Sequence, residues 1–175
     1  TLYEGVNIGP DRIGLITYMR TDSTRIADSA LESLRNYLGK YYPDELPEKP
    51  NVYAVGKKAQ DAHEAIRPTD VELTPDSIKS SLTPEQFKLY SLIWERFVSS
   101  QMKPYKSRIV SVEFECDEGV FRASATKVVE KGFYKALKLL APKEKKHTLP
   151  SLAEGDEVEC VDLVGDQHFT QGPAY

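Results

Sequence analysis

The chain contains few of the residues that build metal centres, disulfide scaffolds and membrane spans. Its 175 residues include only two cysteines and three histidines. Two cysteines make neither a disulfide framework nor a zinc site. The mean hydropathy is -0.46, and no apolar run approaches the roughly 18 residues that a membrane span needs. Because Cys116 and Cys160 stand in apolar, strand-like surroundings, we expect both to be buried, reduced thiols.

Several common catalytic motifs are also absent. The sequence has no glycine-rich phosphate loop ending in Lys-Ser or Lys-Thr, no Gly-x-Ser-x-Gly elbow, no Cys-x-x-Cys pair and no Asp-x-Asp. Arg67 stands where a metalloprotease helix beginning at His63 would have its second histidine. The His-Glu-x-x-His zinc site is therefore excluded.

The charge balance by itself argues against a nucleic-acid-binding protein. Asp and Glu number 27 and Lys and Arg 23, which gives a net charge of -4, whereas nucleic-acid-binding domains are commonly basic. Lysines nevertheless crowd residues 127–146, which hold only the acids Glu130 and Glu144. A solvated surface is the ordinary interpretation of such a run, and a contact with DNA is the alternative. The lysines are Lys127, Lys131, Lys135, Lys138, Lys143, Lys145 and Lys146.

Local patterns predict two helices in the first hundred residues. Residues 28–38 repeat leucine at helical spacing, and Gly39 follows as a stop. The run Thr83-Pro84-Glu85-Gln86 has the composition of a capping box with proline at the first helical position. The helix that follows carries an aromatic stripe at helical spacing, which we expect in the core. Its members are Phe87, Tyr90, Trp94 and Phe97.

Strand patterns dominate the second part of the chain. Apolar and polar residues alternate over 110–116, a turn of Asp117-Glu118-Gly119 follows, and residues 120–129 return antiparallel. A further strand is predicted over 155–164. The fold class is therefore α+β, with a boundary near Pro104 between a mainly helical part, 1–104, and a mainly β part, 105–175.

The first 24 residues are predicted to contain less regular structure than the parts described above. Four glycines and prolines in residues 1–14 discourage regular structure there. Leu15 to Arg20 is predicted to form a short buried strand. The polar residues Asp22, Ser23 and Thr24 then favour a turn, and Asp22 has a second possible role in orienting a histidine or an arginine.

The run from Gly14 to Thr24 carries the most specific chemistry. Tyr18 and Arg20 would share one face of an extended segment, with Cα atoms about 7 Å apart. A free phenol has a pKa of about 10 and is a poor nucleophile at neutral pH. A neighbouring guanidinium favours the phenolate and can grip two phosphate oxygens. Attack on DNA would exchange one phosphodiester for another, so this pair predicts strand breakage and rejoining rather than hydrolysis.

A second group of functional side chains lies around His63. A lone histidine is more often structural, but His63 stands in a dense run with Arg67, residues 60–69. When protonated, the imidazole would bind a backbone phosphate.

These runs resemble one known family. Residues 14–24 closely resemble the active-site tyrosine motif of the bacterial type IA DNA topoisomerases, and residues 60–69 are similar to a second motif of that family. Leu2-Tyr3-Glu4-Gly5 and Phe169-Thr170-Gln171-Gly172-Pro173 resemble two further segments, in the same order. The resemblance implies that Tyr18 and Arg20 are catalytic. It implies DNA-binding roles for His63, Arg67, Asp22 and Thr21.

The resemblance also implies an activity and an architecture. Members relax negatively supercoiled DNA by a transient single-strand break, in which the tyrosine becomes linked to the 5′ phosphate. Residues 1–104 resemble the helical, winged-helix-like tyrosine domain, and residues from about 105 resemble part of a β-rich arch that acts as a hinge. The family's magnesium-binding toprim domain is missing from this sequence. We therefore expect an inactive central piece of a cytoplasmic enzyme, whose partners are single-stranded DNA and its own other domains.

Two alternatives remain open from the sequence. The chain would be a non-catalytic winged-helix DNA-binding module if Tyr18 were only a packing residue and the lysines bound the DNA. The second alternative is the decatenating branch of the same family. Its motif tends to have a proline where this chain has Met19, so Met19 favours the relaxing branch.

Overall fold

The computed structural model describes residues 1–53, 63–116, 119–141, 149–162 and 164–172. Two helices and two separate antiparallel two-stranded sheets make up its regular structure, which confirms the α+β class. The elements are β1 (Val6–Ile8), β2 (Asp11–Ile13), α1 (Asp28–Tyr41), α2 (Pro84–Ser100), β3 (Lys106–Cys116) and β4 (Gly119–Glu130), with short 3-10 turns at Pro43–Glu45, Lys79–Ser81 and Gly132–Ala136. The winged-helix likeness of residues 1–104 stays a prediction.

Helix α2 begins at the capping box that the sequence predicts. The Gln86 N–H donates to the Thr83 hydroxyl at 3.3 Å, and the Thr83 N–H donates back to the Gln86 side-chain oxygen at 3.0 Å. Three members of the aromatic stripe are in the core, with Tyr90 fully buried and Trp94 and Phe97 nearly so, whereas Phe87 is only partly buried and does not belong to the core. Because a buried phenol and indole need partners, the Tyr90 hydroxyl and the Trp94 N–H each donate to a backbone carbonyl.

Helix α1 is longer than predicted. The stop expected at Gly39 is wrong, because the helix continues to Tyr41. Gly39 is not among the described glycines with positive φ, so it takes the helical conformation. The Tyr37 ring meets the Trp94 ring edge-on at 5.7 Å, and this contact packs α1 against α2.

The start of the chain is more regular than its glycines suggest. Residues 1–14 were expected to be irregular, but β1 and β2 form a short antiparallel hairpin. Gly9 supplies a φ of 61° in its turn, which a glycine adopts without steric cost. The predicted strand from Leu15 to Arg20 is only partly right. Leu15 and Ile16 are buried, while Tyr18 to Arg20 are exposed and pair with no strand.

Gly14 lies where two backbone segments come unusually close. The Leu15 N–H donates to the Leu2 carbonyl at 2.7 Å. A Cβ on Gly14 would stand 2.6 Å from the carbonyl oxygen of Tyr3, a distance too short for any side chain. Only glycine therefore lets the segment after Thr1 run beside the segment that leads to Tyr18.

The predicted hairpin is present, but its surroundings are not as expected. β3 and β4 pair in register, with Phe114 opposite Phe121, while the turn residues 117–118 lie outside the described residues. Both faces of this ribbon are largely exposed, so Cys116 is exposed, and Cys160 is exposed too. The prediction of buried thiols is wrong for both, because strand-like alternation indicates burial only where a second layer covers the strand.

The last predicted strand is also wrong. In the described parts of residues 155–164 no strand is present. Val158 and Val161 are exposed there. Alternating apolar and polar residues do not form a strand by themselves, because the backbone N–H and C=O groups of a strand need a neighbouring strand as their hydrogen-bond partner.

The residues that follow β4 contact the helical part of the structure. The Phe133 N–H donates to the Lys103 carbonyl at 2.9 Å, and Ala136 belongs to the same core as α2. Gly132, with a φ of 49°, lies so close to Pro104 that a Cβ would stand 2.3 Å from its carbonyl oxygen. The domain boundary near Pro104 stays a prediction.

Replacing the cap of α2 should destabilise the protein measurably. We expect Thr83→Ala to lower the free energy of unfolding by about 0.5–2 kcal/mol, because the N–H of Gln86 loses its acceptor. Thr83→Ser keeps the hydroxyl and should lose little. Urea unfolding of the two variants checks this, and equal losses in both would contradict the capping role.

Adding one methyl group at Gly14 should also be costly. We expect Gly14→Ala to lower the free energy of unfolding by about 1–3 kcal/mol, because its Cβ meets the Tyr3 backbone rather than a flexible side chain. Gly119→Ala is the matched control, since nothing lies within 4 Å of a Cβ there, and its effect should stay within about 0.5 kcal/mol. Equal effects at the two glycines would show that the close approach is not needed.

Candidate functional site

Two segments far apart in sequence are joined side by side at the site. The Thr17 N–H donates to the Arg67 carbonyl at 2.9 Å, and the Thr69 N–H donates to the Leu15 carbonyl at 3.0 Å. Between them, Ile16 and Pro68 form an antiparallel bridge. This pairing brings the residues that follow Thr17 next to the residues that precede Pro68.

The Thr17 hydroxyl reinforces the junction. It donates to the Ala65 carbonyl at 2.9 Å and accepts from the Arg67 N–H at 3.0 Å. On the same side, the Ala65 N–H donates to the Arg25 carbonyl at 2.8 Å. The segment around His63 is thus bonded on both flanks of the turn at residues 21–24.

Tyr18 and Arg20 both reach solvent beyond this junction. The Tyr18 side chain is 56 % exposed, and its ring stands edge-on to the ring of Tyr3 at 5.5 Å. The Arg20 side chain is 45 % exposed. The phenol is therefore outside the packed core and accessible to a large substrate.

Asp22 lies between the two basic side chains of the site. One oxygen of its carboxylate, Oδ2, is 3.6 Å from Nη2 of Arg20 and 3.3 Å from Nδ1 of His63. The His63 contact is an electrostatic one, since Nδ1 is buried without an aligned hydrogen bond. Arg20, Asp22 and His63 thus form one cluster of contacts, and the exposed Tyr18 lies two residues before Arg20 in the chain.

The environment of Asp22 favours its ionised form. Desolvation raises the pKa of the carboxyl, but its own backbone N–H, the Arg20 guanidinium and His63 outweigh that effect and hold the pKa below its usual range. A depressed folded-state pKa stabilises the fold above the unfolded value of about 3.9, and this contribution is lost as the pH falls through the folded value. At neutral pH the carboxylate is therefore charged beside the Arg20 guanidinium and the His63 imidazole.

Arg67 is placed differently from the phosphate ligand that the sequence suggests. Its Nε and Nη2 both lie 2.8 Å from one oxygen of Glu64, and Nη1 donates to the Pro68 carbonyl at 3.0 Å. The side chain is only 12 % exposed. Its guanidinium is thus engaged within the chain, and Glu64 is a site residue that the sequence analysis missed. The opposite charges at i and i+3 were the available signal.

The remaining predicted residues of the turn differ in their exposure. Thr21 is exposed. Ser23 is nearly buried, and its hydroxyl accepts from the Arg25 N–H at 3.2 Å, as in a serine turn. Arg25 was also missed as a residue near His63, since its Nε donates to the His63 carbonyl at 3.4 Å.

The lysine-rich stretch is partly occupied by ion pairs. Lys135 pairs with Glu45, and Lys138 Nζ lies 2.6 Å from the Asp76 carboxylate. Lys127 and Lys131 are exposed. Lys143, Lys145 and Lys146 lie outside the described residues.

The described residues contain neither a metal-ligand cluster nor a membrane-spanning helix. No group of three or more His, Cys, Asp and Glu side chains there is placed to hold a metal ion. In the same ranges, no helix is both long and apolar enough to cross a membrane.

The chain is similar over its whole length to known proteins. The family model described as DNA topoisomerase matches residues 1–175. DNA topoisomerase 1 of Treponema pallidum is 50 % identical over 173 residues, which are 98 % of this chain and 24 % of that protein. DNA topoisomerase 1 of Helicobacter pylori (strain 26695) is 45 % identical over 175 residues, 99 % of this chain and 23 % of that protein.

A solved structure agrees with these relatives. The full-length topoisomerase I of Thermotoga maritima, from a monoclinic crystal form, is 36 % identical and superposes with a TM-score of 0.64 over 84 % of this chain and 24 % of that one. The chain thus spans about a quarter of the length of the relatives it matches. With a matching family model and close relatives over nearly every residue, the chain belongs to the DNA topoisomerase family.

Proposed function

We propose that this chain is the tyrosine-bearing part of a bacterial type IA enzyme that relaxes negatively supercoiled DNA through a transient single-strand break. The observation that carries the proposal is the cluster of a guanidinium, a carboxylate and an imidazole at Arg20, Asp22 and His63, which follows the exposed phenol of Tyr18 in the chain. These are the groups that attack on a phosphodiester needs, and their order matches that of the family's motifs.

Tyr18 acts as the nucleophile. Its phenolic oxygen attacks the phosphorus and loses its proton, the bond from phosphorus to the 3′ oxygen breaks, and that oxygen takes up a proton to leave as a hydroxyl. The phosphate stays attached to the 5′ side of the break as a phosphotyrosine. One phosphodiester replaces another, so bond energy is retained. Because a phenolate is a better leaving group than a sugar alkoxide, the freed hydroxyl can reverse the step without ATP.

Arg20 stabilises the phosphate during this exchange. Its planar guanidinium can bond two phosphate oxygens at once, which a lysine cannot do. Charge that develops on those oxygens in the transition state then meets a donor that is already in place. Asp22 restricts the guanidinium before the substrate arrives.

His63 and Thr21 bind the DNA backbone in this proposal. Nδ1 of His63 lies 3.3 Å from the Asp22 carboxylate, so Nε2 is the ring nitrogen that remains to contact a backbone phosphate. Thr21 is exposed in the turn and offers a hydroxyl. The main role of Arg67 in this proposal is its ion pair with Glu64, which stiffens the segment that carries His63. A direct contact with DNA would require the guanidinium to leave Glu64.

Magnesium and the remaining domains complete the proposed enzyme. We assign magnesium to the toprim domain that the family resemblance implies, outside this chain. Single-stranded DNA is the substrate that the exposed cluster would take. The enzyme would work on the chromosome in the bacterial cytoplasm, with the tyrosine domain moving on the β-rich arch to open a gate for strand passage.

The alternative of a non-catalytic DNA-binding module has less support. It assigns the binding to the lysine-rich stretch, yet Lys135 and Lys138 are engaged with Glu45 and Asp76. It also gives Tyr18 a packing role, whereas that side chain is exposed.

Removing the Tyr18 hydroxyl should abolish covalent attachment to DNA. In the full-length enzyme with magnesium and single-stranded DNA, we expect a denaturation-resistant adduct that is lost to background in Tyr18→Phe, because the ring stays and the nucleophile goes. Gel electrophoresis after denaturation measures it. Tyr41→Phe, at another exposed tyrosine, is the control and should form the normal amount. An adduct that persists in Tyr18→Phe, or salt-sensitive binding without any adduct, would reject the proposed function.

The chain by itself should be inactive. We expect no relaxation of a supercoiled plasmid by the purified 175-residue chain with magnesium, because the proposed metal site and much of the DNA path lie elsewhere in the enzyme. Agarose gels resolve the topoisomers, and the full-length enzyme is the positive control. Measurable relaxation by the chain alone would overturn this expectation.

A further inference from the structure

An aromatic pair at the surface joins the start of the chain to the proposed nucleophile. The rings of Tyr3 and Tyr18 lie 5.5 Å apart at 64° to each other, an edge-to-face arrangement. Among the ring contacts of the described residues, Tyr18 takes part in this one alone. Tyr18 is 56 % exposed, so few other contacts restrict the rotation of its side chain. The Tyr3 ring is therefore the natural restraint on the direction of the phenol.

The backbone at Tyr3 is fixed to the core, although the residue itself is 42 % exposed. The carbonyl of its neighbour Leu2 accepts the Leu15 N–H at 2.7 Å. Leu2 and Leu15 are both buried in the core. The Tyr3 carbonyl lies directly against Gly14, where a Cβ would approach to 2.6 Å. Tyr3 and Tyr18 thus project from two backbone segments that are bonded and packed together.

We propose that Tyr3 is a positioning residue for the Tyr18 phenol. This inference rests on the proposed function, since it takes Tyr18 as the nucleophile. Phosphoryl transfer requires the attacking oxygen in line with the leaving oxygen, and a freely rotating tyrosine spends little of its time in that geometry. The Tyr3 ring limits the rotamers of Tyr18 and leaves its hydroxyl toward solvent. The aromatic ring of Tyr3 is what matters, because an edge-to-face pair needs no hydroxyl from it.

The test compares three variants of Tyr3 in the full-length enzyme. Single-turnover cleavage of a saturating single-stranded oligonucleotide gives the rate of adduct formation, and fluorescence anisotropy without magnesium gives the Kd for the same oligonucleotide. We expect Tyr3→Ala and Tyr3→Leu to cleave about two- to tenfold more slowly, with Kd unchanged. Tyr3→Phe should recover most of the rate, since it restores the ring. The split between rate and Kd separates positioning from simple binding.

Tyr41→Ala is the matched control. It removes an exposed ring from another aromatic pair, with Tyr37 at 4.5 Å, and should leave the cleavage rate unchanged. Circular dichroism and the thermal midpoint check that each variant is folded. If Tyr3→Ala fails to fold, the comparison of Tyr3→Leu with Tyr3→Phe decides, because both fill the site with apolar volume and only one supplies an aromatic ring.

Several results would overturn the positioning role. One is an unchanged rate of adduct formation in Tyr3→Ala, and another is full recovery of that rate in Tyr3→Leu. The role also fails if the rate falls only in proportion to DNA affinity, or if Tyr3→Phe cleaves as slowly as Tyr3→Ala. Tyr18→Phe, measured alongside, separates the two claims. If its adduct disappears while the Tyr3 variants cleave normally, only the positioning role fails; if its adduct persists, the proposed function fails.

Discussion

The candidate site depends on the short antiparallel pairing of Leu15–Thr17 with Arg67–Thr69. Thr17 is the central residue of this pairing, because its backbone N–H and its hydroxyl form hydrogen bonds with three different groups of the opposite segment. A valine would fill the same space, yet it would leave the Ala65 carbonyl and the Arg67 N–H without these partners. Each hydrogen bond contributes only about 0.5–1.5 kcal/mol. Together they decide whether His63 stands beside Asp22, since nothing in the local sequence brings these residues together.

The electrostatics of the cluster follow from that pairing. Asp22 holds Arg20 and His63 while no phosphate is present, and its depressed pKa keeps the carboxylate charged at neutral pH. A phosphate arriving at the cluster would compete with the carboxylate for the same donors. This competition would lower the net gain from binding, which suits the strand release and rejoining that we propose. In that proposal it also lets a chain with a net charge of -4 present donors to DNA at one place without a broadly basic surface.

Features set by a few neighbouring residues were predictable from the sequence, and features set by tertiary contacts were not. The capping box at Thr83 and the aromatic stripe of α2 follow from local spacing and are present. The Glu64–Arg67 pair was missed because charges three residues apart predict a contact mainly within a helix, and residues 63–67 are not helical. Cys160 shows the opposite error, since its alternating surroundings suggested a buried strand although no strand is described there.

The β3–β4 ribbon shows how a weak element is held in place. A two-stranded hairpin with both faces in water is marginally stable by itself, and its apolar residues, such as Ile109 and Val120, are mostly exposed. The two ends of the ribbon are anchored. Gly132 lies against Pro104, and the Lys103 N–H donates to the Glu45 carbonyl. The two ends of the ribbon are thus fixed to the body that carries α2. A force applied along the ribbon would therefore reach the helical core through these two ends, as the arch that we propose for this part of the chain requires.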